Sequence, residues 1–365
     1  YGVIPRNILD EKIKRLNEIA KRNREKDNAD NLILLSVEYD SEKNKALMKF
    51  YSLETKEIYF LYDKTGHKPY FLTSADTEEI RAASIKMRGS IENIDKVNKF
   101  DSINDEWVEL KKVVVSDPLA VGGKSGLRNI LGEDRSWEAW IPYHLNYIYD
   151  AKLWPSMFYM IKNGNPVMKT NEKSIDKDIL GIFINEKDYV ELAKKYLPVL
   201  SADLPNIDFL ALDIEVAGHG RIPQMNQPYD QIIAIGFTGY SFNKGKAVET
   251  REIFILGNYK GAISHELGDI EIIDKKQYYS IGKLELNGKK IDVRLYHDER
   301  LMLLDAFEKI WDIPILVTFN GDNFDLRYIY KRSEHLGIPK ELIPFKIVSK
   351  GEIKEAHMKV GIHLD

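Results

Sequence analysis

The stretch Leu210-Ala-Leu-Asp-Ile-Glu-Val216 reads as a buried strand carrying two carboxylates. Side chains alternate along a strand, so Asp213 and Glu215 share one face, about 7 Å apart, while Leu212, Ile214 and Val216 face a core. Two acids on one face of an apolar strand are costly to desolvate without a positive partner. A pair of divalent cations would supply that charge and support hydrolysis. The tripeptide alone is weak: Asp-x-Glu occurs four times, at Asp40/Glu42, Asp76/Glu78, Asp213/Glu215 and Asp269/Glu271. Only the pair at 213 and 215 follows an unbroken apolar run; the pair at 269 follows His265-Glu-Leu-Gly268, a loop-like composition. A strand end with solvated acids is the competing reading.

A second stretch has the same character. Ile313-Pro-Ile-Leu-Val-Thr-Phe319 predicts a buried strand that runs through Asn320-Gly-Asp-Asn-Phe-Asp325 into a helix. Leu326, Ile329, Ser333 and Leu336 mark the buried face of that helix, and Gly337 and Pro339 end it. A strand-to-helix turn delivers polar side chains to the C-terminal edge of a sheet, where open α/β sheets place their sites. Asp325 at the helix start is either an N-cap or, if Asp322 or Asn323 caps instead, free for chemistry.

The rest of the chain must position these residues. Its 365 residues exceed one ordinary core, and 30% charged with 44% hydrophobic residues is a globular composition. There is no cysteine, hence no disulfide, thiolate site or cysteine nucleophile. No apolar run spans a membrane and residues 1–30 are polar and charged, which points to an intracellular protein. A net charge of −4 leaves room only for local basic tracks toward nucleic acid. The chain opens at Tyr1 and stops at Asp365 inside an apolar pattern, as an excised fragment would.

Residues 9–27 predict an amphipathic helix. Leu32–Tyr39, Ala46–Ser52, Ile58–Tyr62 and Pro69–Thr73 predict strands of a small antiparallel sheet or barrel, followed by mixed structure over 77–100 and another strand through Val115. Asp117–Gly126 reads as a loop. Its Gly-Gly-Lys-Ser string is not a phosphate loop, because Pro118 stands where the required glycine would be. The aromatics of 137–150 (Trp137, Trp140, Tyr143, Tyr147, Tyr149) read mostly as core. Residues 186–205 read as a helix followed by a linker ending in Leu204-Pro205, the expected domain boundary; further strands are Gln231–Tyr240 and Thr250–Leu256. Residues 257–282 read as polar and irregular, and Asn287-Gly288 as a hairpin turn.

At this point the residues carry a resemblance. Asp213-Ile-Glu215 with Asn320-x-x-x-Phe324-Asp325 resembles the first two 3′–5′ exonuclease motifs of family B DNA polymerases. Tyr62–Phe71, Asp117–Val121, Ile141–Tyr143 and Gly361-Ile-His-Leu-Asp365 are similar to archaeal, especially crenarchaeal, members. The resemblance implies a mixed α/β chain: an α+β N-terminal domain over 1–205 and a ribonuclease H-like exonuclease domain over 206–365, incomplete at its C-terminal end. It implies hydrolysis of the 3′-terminal nucleotide by two Mg²⁺ or Mn²⁺ ions, with Asp213 bridging them and Glu215 and Asp325 completing their shells. Asn320 and Phe324 would position the frayed strand. The N-terminal domain would carry a template-strand pocket for uracil at Pro69, Tyr70, Ile141, Pro142 and Tyr143, with Pro118 or Val121 as one wall. A small apolar slot of this kind rejects thymine by its methyl group; a family position that is usually basic is Asn146 here.

The implied partners are single-stranded and primer-template DNA, and a sliding clamp for the full-length parent. The implied location is cytoplasmic, with no membrane partner. No third motif, Tyr-x-x-x-Asp, follows the second before the chain stops, and the Asp-Thr-Asp of a polymerase palm is not found. The expectation is therefore the N-terminal fragment of a proofreading DNA-directed DNA polymerase. It would be poorly active alone, because a fourth acid and an orienting tyrosine would lie beyond Asp365. The alternatives are a stand-alone 3′–5′ nuclease and a non-catalytic template-scanning module that binds single strands.

Overall fold

The structure is a computed structural model that describes residues 6–87, 89–169, 202–218, 220, 223–225, 227–243, 245–276, 278–350 and 353–365, with 191, 196 and 199. The helix expected within 186–205 falls largely outside them. The chain divides into two compact units, one of residues 25–50 and 59–203, the other of 1–24, 51–58 and 204–365. The first helix, α1 (Arg6–Ala20), is shorter than the predicted 9–27. Residues 21–28 contain no apolar side chain to extend its buried stripe, so nothing repays the cost of further turns.

In the first unit, β1 (Ala29–Asp40), β2 (Lys45–Ser52) and β3 (Ile58–Tyr62) form part of a five-stranded sheet. The next strand, β4 (Tyr70–Thr73), was expected beside them but leaves for a second sheet. The cause is the turn between: the Asp63 carboxylate accepts the N–H groups of Thr65, Gly66 and His67 and redirects the chain. After α2 (Thr77–Ser84) come β5 (Ile91–Asp101) and β6 (Glu106–Val115). Residues 118–122, expected as loop, form a short helix α3 (Pro118–Gly122), started by proline at its first position and capped by Asp117. Then follow α4 (Leu127–Leu131), β7 (Ser136–Trp137), α5 (Tyr143–Ala151), β8 (Phe158–Lys162) and β9 (Asn165–Met168). The two sheets have the orders β3-β2-β1-β8-β9 and β5-β6-β4-β7. Of the five aromatics in 137–150, only Tyr143 and Tyr147 join the core; Trp137, Trp140 and Tyr149 are exposed, which corrects the expectation. α5 packs one face on β1, so Tyr149 outside that face stays in water, while Trp137 and Trp140 precede the helix.

In the second unit, β10 (Phe209–Val216), β11 (Ile232–Asn243) and β12 (Lys246–Leu256) are antiparallel neighbours. The segment read as irregular contains α6 (Lys260–Leu267), β13 (Glu271–Lys275) and the start of β14 (Tyr279–Leu286). β14 and β15 (Lys289–Tyr296) meet at Asn287-Gly288, whose φ values of 51° and 74° are those of the hairpin turn the dipeptide favours. α7 (Glu299–Trp311), β16 (Ile315–Val317), α8 (Asp325–His335), β17 (Phe345–Lys350), β18 (Ile353–Met358) and β19 (Ile362–Leu364) complete the unit. The sheet order is β13-β14-β15-β12-β11-β10-β16-β19, with β12–β15, β10–β16 and β16–β19 parallel.

α7 is buried along most of its length. Its Asp305 and Lys309 reach Tyr296 and Glu252 of the sheet, on the face that also presents Leu212, Ile214 and Phe254. By alternation, Asp213 and Glu215 stand on the other face, and both are exposed.

Candidate active site

Asp213 lies opposite Gly236 of β11, and Glu215 opposite Ala234. A register shift after Glu215 takes Val216 out of the alternation, and it is half-buried rather than core. On the other edge, β16 pairs with β10 only from Phe209 to Ala211 and then stops, three residues long instead of the predicted 313–319. The edge of β10 beyond Ala211 would have an unpaired N–H at Ile214. Asp325 fills that place: the Ile214 N–H donates to Asp325 Oδ1 at 3.1 Å.

Asp325 is thus not a cap. Phe324 occupies the cap position without a side-chain bond, and the two expected alternatives are used elsewhere. Asp322 accepts from the Ala356 N–H at 2.6 Å, and Asn323 donates to Asn320 Oδ1 at 2.8 Å. Burial pushes the Asp325 carboxyl above the ordinary carboxylate range. The Ile214 N–H opposes that rise, and the negative charges of Asp213 and Asp365 add to it.

Asn320 takes the left-handed conformation, φ 61°, which asparagine tolerates, and is exposed beside the turn. Phe324 stacks on Tyr328 with centroids 5.7 Å apart. Phe319 is 92% exposed, where the sequence had placed the end of a buried strand. It walls a trough of about 490 Å³ with Asp213, Gly236, Thr238, Arg251 and Ile253. Gly236 matters for that space, since an added Cβ would stand directly across the ladder from Asp213. A fourth acid was missed too. The Asp365 carboxylate accepts from Thr318 Oγ1 at 2.8 Å and from the Gly321 and Asp322 N–H groups at 2.6 and 3.2 Å. Burial works against its charge, but these hydrogen bonds outweigh burial and hold it below the ordinary range. The sequence signal for it was only the apolar run into Gly361-Ile-His-Leu-Asp365.

Hard divalent cations take oxygen ligands, and the donors here are carboxylates whose like charges already press on Asp325. In donor chemistry the set fits such ions. Among the described residues, however, no three His, Asp or Glu side chains form a ready-made group that could hold a metal ion.

The second set of predicted residues lies in the first unit. Tyr70 and Tyr143 flank His67, with ring centroids 6.1 and 5.5 Å away. The Tyr143 hydroxyl donates to the His67 carbonyl at 3.1 Å, and the Tyr70 hydroxyl and His67 Nε2 both meet Asp150. Pro69 is buried, and its carbonyl accepts the Val115 N–H. Val121 sits in the apolar core with Phe71, Val113 and Val115. Pro118 and Ile141 are half-buried and Pro142 is exposed. Asn146 is buried on α5. Tyr and His rings thus gather Tyr70 and Tyr143, whereas Val121 belongs to a separate apolar cluster. His67 Nδ1, a residue the sequence reading had not singled out, is buried without a hydrogen bond.

Comparison with known proteins bears on this geometry. The chain is 33% identical to DNA polymerase 1 of Saccharolobus solfataricus over 338 residues, 91% of this chain and 34% of that protein. It is 33% identical to DNA polymerase 1 of Aeropyrum pernix over 343 residues, 91% of this chain and 32% of that one. It spans about a third of the length of these relatives. The structure of the family B DNA polymerase from the hyperthermophilic archaeon Pyrobaculum calidifontis matches 92% of this chain and 36% of its own, with a TM-score of 0.55 at 15% identity, a likeness of fold. Residues 135–362, more than half of the chain, match the profile of the DNA polymerase family B exonuclease domain. The chain that bonds Asp325 to the strand of Asp213 therefore belongs to DNA polymerase family B and carries the exonuclease domain of that family.

Proposed function

We propose that residues 206–365 form a 3′–5′ exonuclease that shortens single-stranded DNA, as the proofreading part of a DNA-directed DNA polymerase. The observation that carries this is the Ile214–Asp325 bond, which brings the second motif's acid to the strand of Asp213 and Glu215. Asp213, Glu215 and Asp325 would hold two Mg²⁺ or Mn²⁺ ions, which when bound activate water and stabilise the leaving 3′ oxygen. The trough beside Asp213 has the volume of a small-ligand site and suits a terminal nucleotide. Phe319 walls it, and an exposed aromatic gives a base a stacking surface; Asn320 and Phe324 of the following turn would position the strand. Primer-template DNA as substrate and a sliding clamp as partner belong to the same reading of the parent protein.

The test is a 5′-labelled single strand incubated with this chain and Mn²⁺. The expected result is a ladder of products shortened from the 3′ end, abolished by chelator and by Asp213→Ala. Internal cuts, or a ladder that persists in Asp213→Ala, would remove the assignment.

For residues 1–205 we propose recognition of uracil in a template strand, by a pocket around Tyr70, Tyr143 and His67, with Pro69, Ile141 and Pro142 beside it and Pro118 or Val121 as a wall. His67 Nδ1 supports this reading, since it is a polar atom with no partner inside an aromatic cluster. The expected outcome is tighter binding of a uracil-containing single strand than of its thymine counterpart at equal salt. It should be reduced by His67→Ala. Equal affinities for the two strands would sink the proposal.

A further inference from the structure

β19 is locked beside β16 in a fixed register, with Ile315 opposite Ile362 and Val317 opposite Leu364. The Thr318 N–H donates to the Leu364 carbonyl at 3.0 Å and extends that ladder by one step. Packing at both ends of the pair leaves no slack. A Cβ at Gly361 would run into the Ile313 carbonyl, and a Cβ at Gly321 into the Thr318 hydroxyl. This register delivers Asp365 to the turn that begins at Thr318. There one carboxylate takes three donors: the Thr318 hydroxyl and the N–H groups of Gly321 and Asp322. His363 Nε2, two residues back, stands 2.7 Å from the same hydroxyl. With its oxygens so engaged, Asp365 holds the turn.

We propose that Asp365 is a positioning residue that clamps the 318–322 turn and so presents Asn320 and Asp325 to the Asp213 face. The proposal rests on the exonuclease reading above. It adds a carboxylate that acts through the loop. Without the clamp the Gly321 and Asp322 N–H groups have only water to bond, and the turn that leads into α8 loses its fixed end.

The experiment compares the full chain with Asp365→Ala, Asp365→Asn and Thr318→Val. Three quantities are read: amide hydrogen exchange at Gly321 and Asp322, Mn²⁺ affinity from the paramagnetic resonance of free Mn²⁺, and kcat and KM for a 5′-labelled single strand. In Asp365→Ala, exchange at the two amides should quicken about 10–100-fold, the scale of a lost charge-assisted hydrogen bond. The amides of Leu212 and Ile235 should keep their protection, which shows that the sheet is intact. Mn²⁺ affinity and kcat should fall about tenfold or more with KM little changed, since misplacement by an ångström is that costly. Asp365→Asn, which keeps one acceptor oxygen, should lie between, and Thr318→Val should reproduce a part of the loss without touching the acid.

Unchanged exchange at Gly321 and Asp322 in Asp365→Ala removes the clamp whatever the parent chain cuts. Faster exchange with Mn²⁺ affinity and kcat as in the parent overturns the positioning role. A parent chain that neither takes up Mn²⁺ nor cuts DNA, yet exchanges as described, removes the exonuclease reading and with it what the clamp positions.

Discussion

Asp325→Asn will fold as the parent does and cut single-stranded DNA about 100- to 1,000-fold more slowly, the usual loss when one charge-stabilising group is removed. The amide oxygen can still accept the Ile214 N–H, so the edge of β10 stays paired. What disappears is the negative charge. In chelator the same substitution has the opposite sign for stability. Burial, then the like charges of Asp213 and Asp365, hold the Asp325 carboxyl above its ordinary range. An acid raised in the folded state ionises first in the unfolded chain. Stability therefore falls as pH climbs from the ordinary carboxylate value through the raised one, and the penalty is fully present above it. Asp325→Asn lacks that fall and should melt above the parent at pH 7 without metal. Asp325→Ala separates the two roles, because it also strands the buried Ile214 N–H at a cost of about 1–3 kcal/mol. The expected order of melting in chelator is Asn, parent, Ala, with cleavage lost in both variants. An Asn variant that cuts at the parental rate would show that the charge at 325 has no part in the chemistry.

The largest loss of stability is expected at Glu299, away from the reacting atoms. Glu299 and Arg332 form a buried two-pronged pair at 2.6 and 2.9 Å, each residue only 5% exposed. Glu299 Oε1 also accepts the Ile232 N–H at the start of β11. Arg332 donates in addition to the carbonyls of Pro228 and Tyr229. Glu299→Ala leaves a guanidinium buried without its counter-charge, which costs about 3–5 kcal/mol. For a unit of this size that is roughly 6–20 °C in Tm. The pair joins the start of α7 to the last turns of α8, so part of the loss should reach the site through Asp325 at the other end of that helix. Removing both charges, Glu299→Met with Arg332→Met, should recover some of the stability, since the isolated charge is the main expense. A melting curve for Glu299→Ala within about 1 °C of the parent, equivalent to a few tenths of a kcal/mol, would show that Arg332 finds another partner or water.

The parts of the site visible in the sequence were those whose signal is local. The apolar alternation of Leu210–Val216 placed Asp213 and Glu215 on an exposed face, and Gly337 marked the end of α8. Asn287-Gly288 marked its hairpin for the same reason, since the required backbone conformation belongs to those two residues. What escaped depends on partners far along the chain. Phe319 closes an apolar run but outlasts the strand, because β16 stops pairing at Val317 and leaves the ring in water. Asp365 stood only at the end of an apolar pattern, and its bonds to the 318–322 turn appear only when β19 is set beside β16. β4 carried a strand pattern that could not say which sheet it joins; the Asp63 turn decides that. In 257–282, the polar composition concealed a helix and a strand; Ile270, just before β13, and Ile272 within it pack against Leu284 of β14 and Val293 and Leu295 of β15.

The separation of 111 residues between Ile214 and its Asp325 partner also sets a schedule for the newly made chain. Translation at about 5–20 residues per second needs roughly 5–20 s to cover that interval. Throughout that time Asp213 and Glu215 have emerged without their third acid, and the Ile214 N–H has no acceptor from α8. The 318–322 turn then waits on a further stretch of synthesis, until Asp365 itself is added and β19 can dock. Contacts this distant in sequence also form late in folding, because the long loop must close before they repay its entropy. A chain made only as far as β16 thus holds Asp213 and Glu215 on their strand while the turn that would bring the third acid to them is still unbuilt.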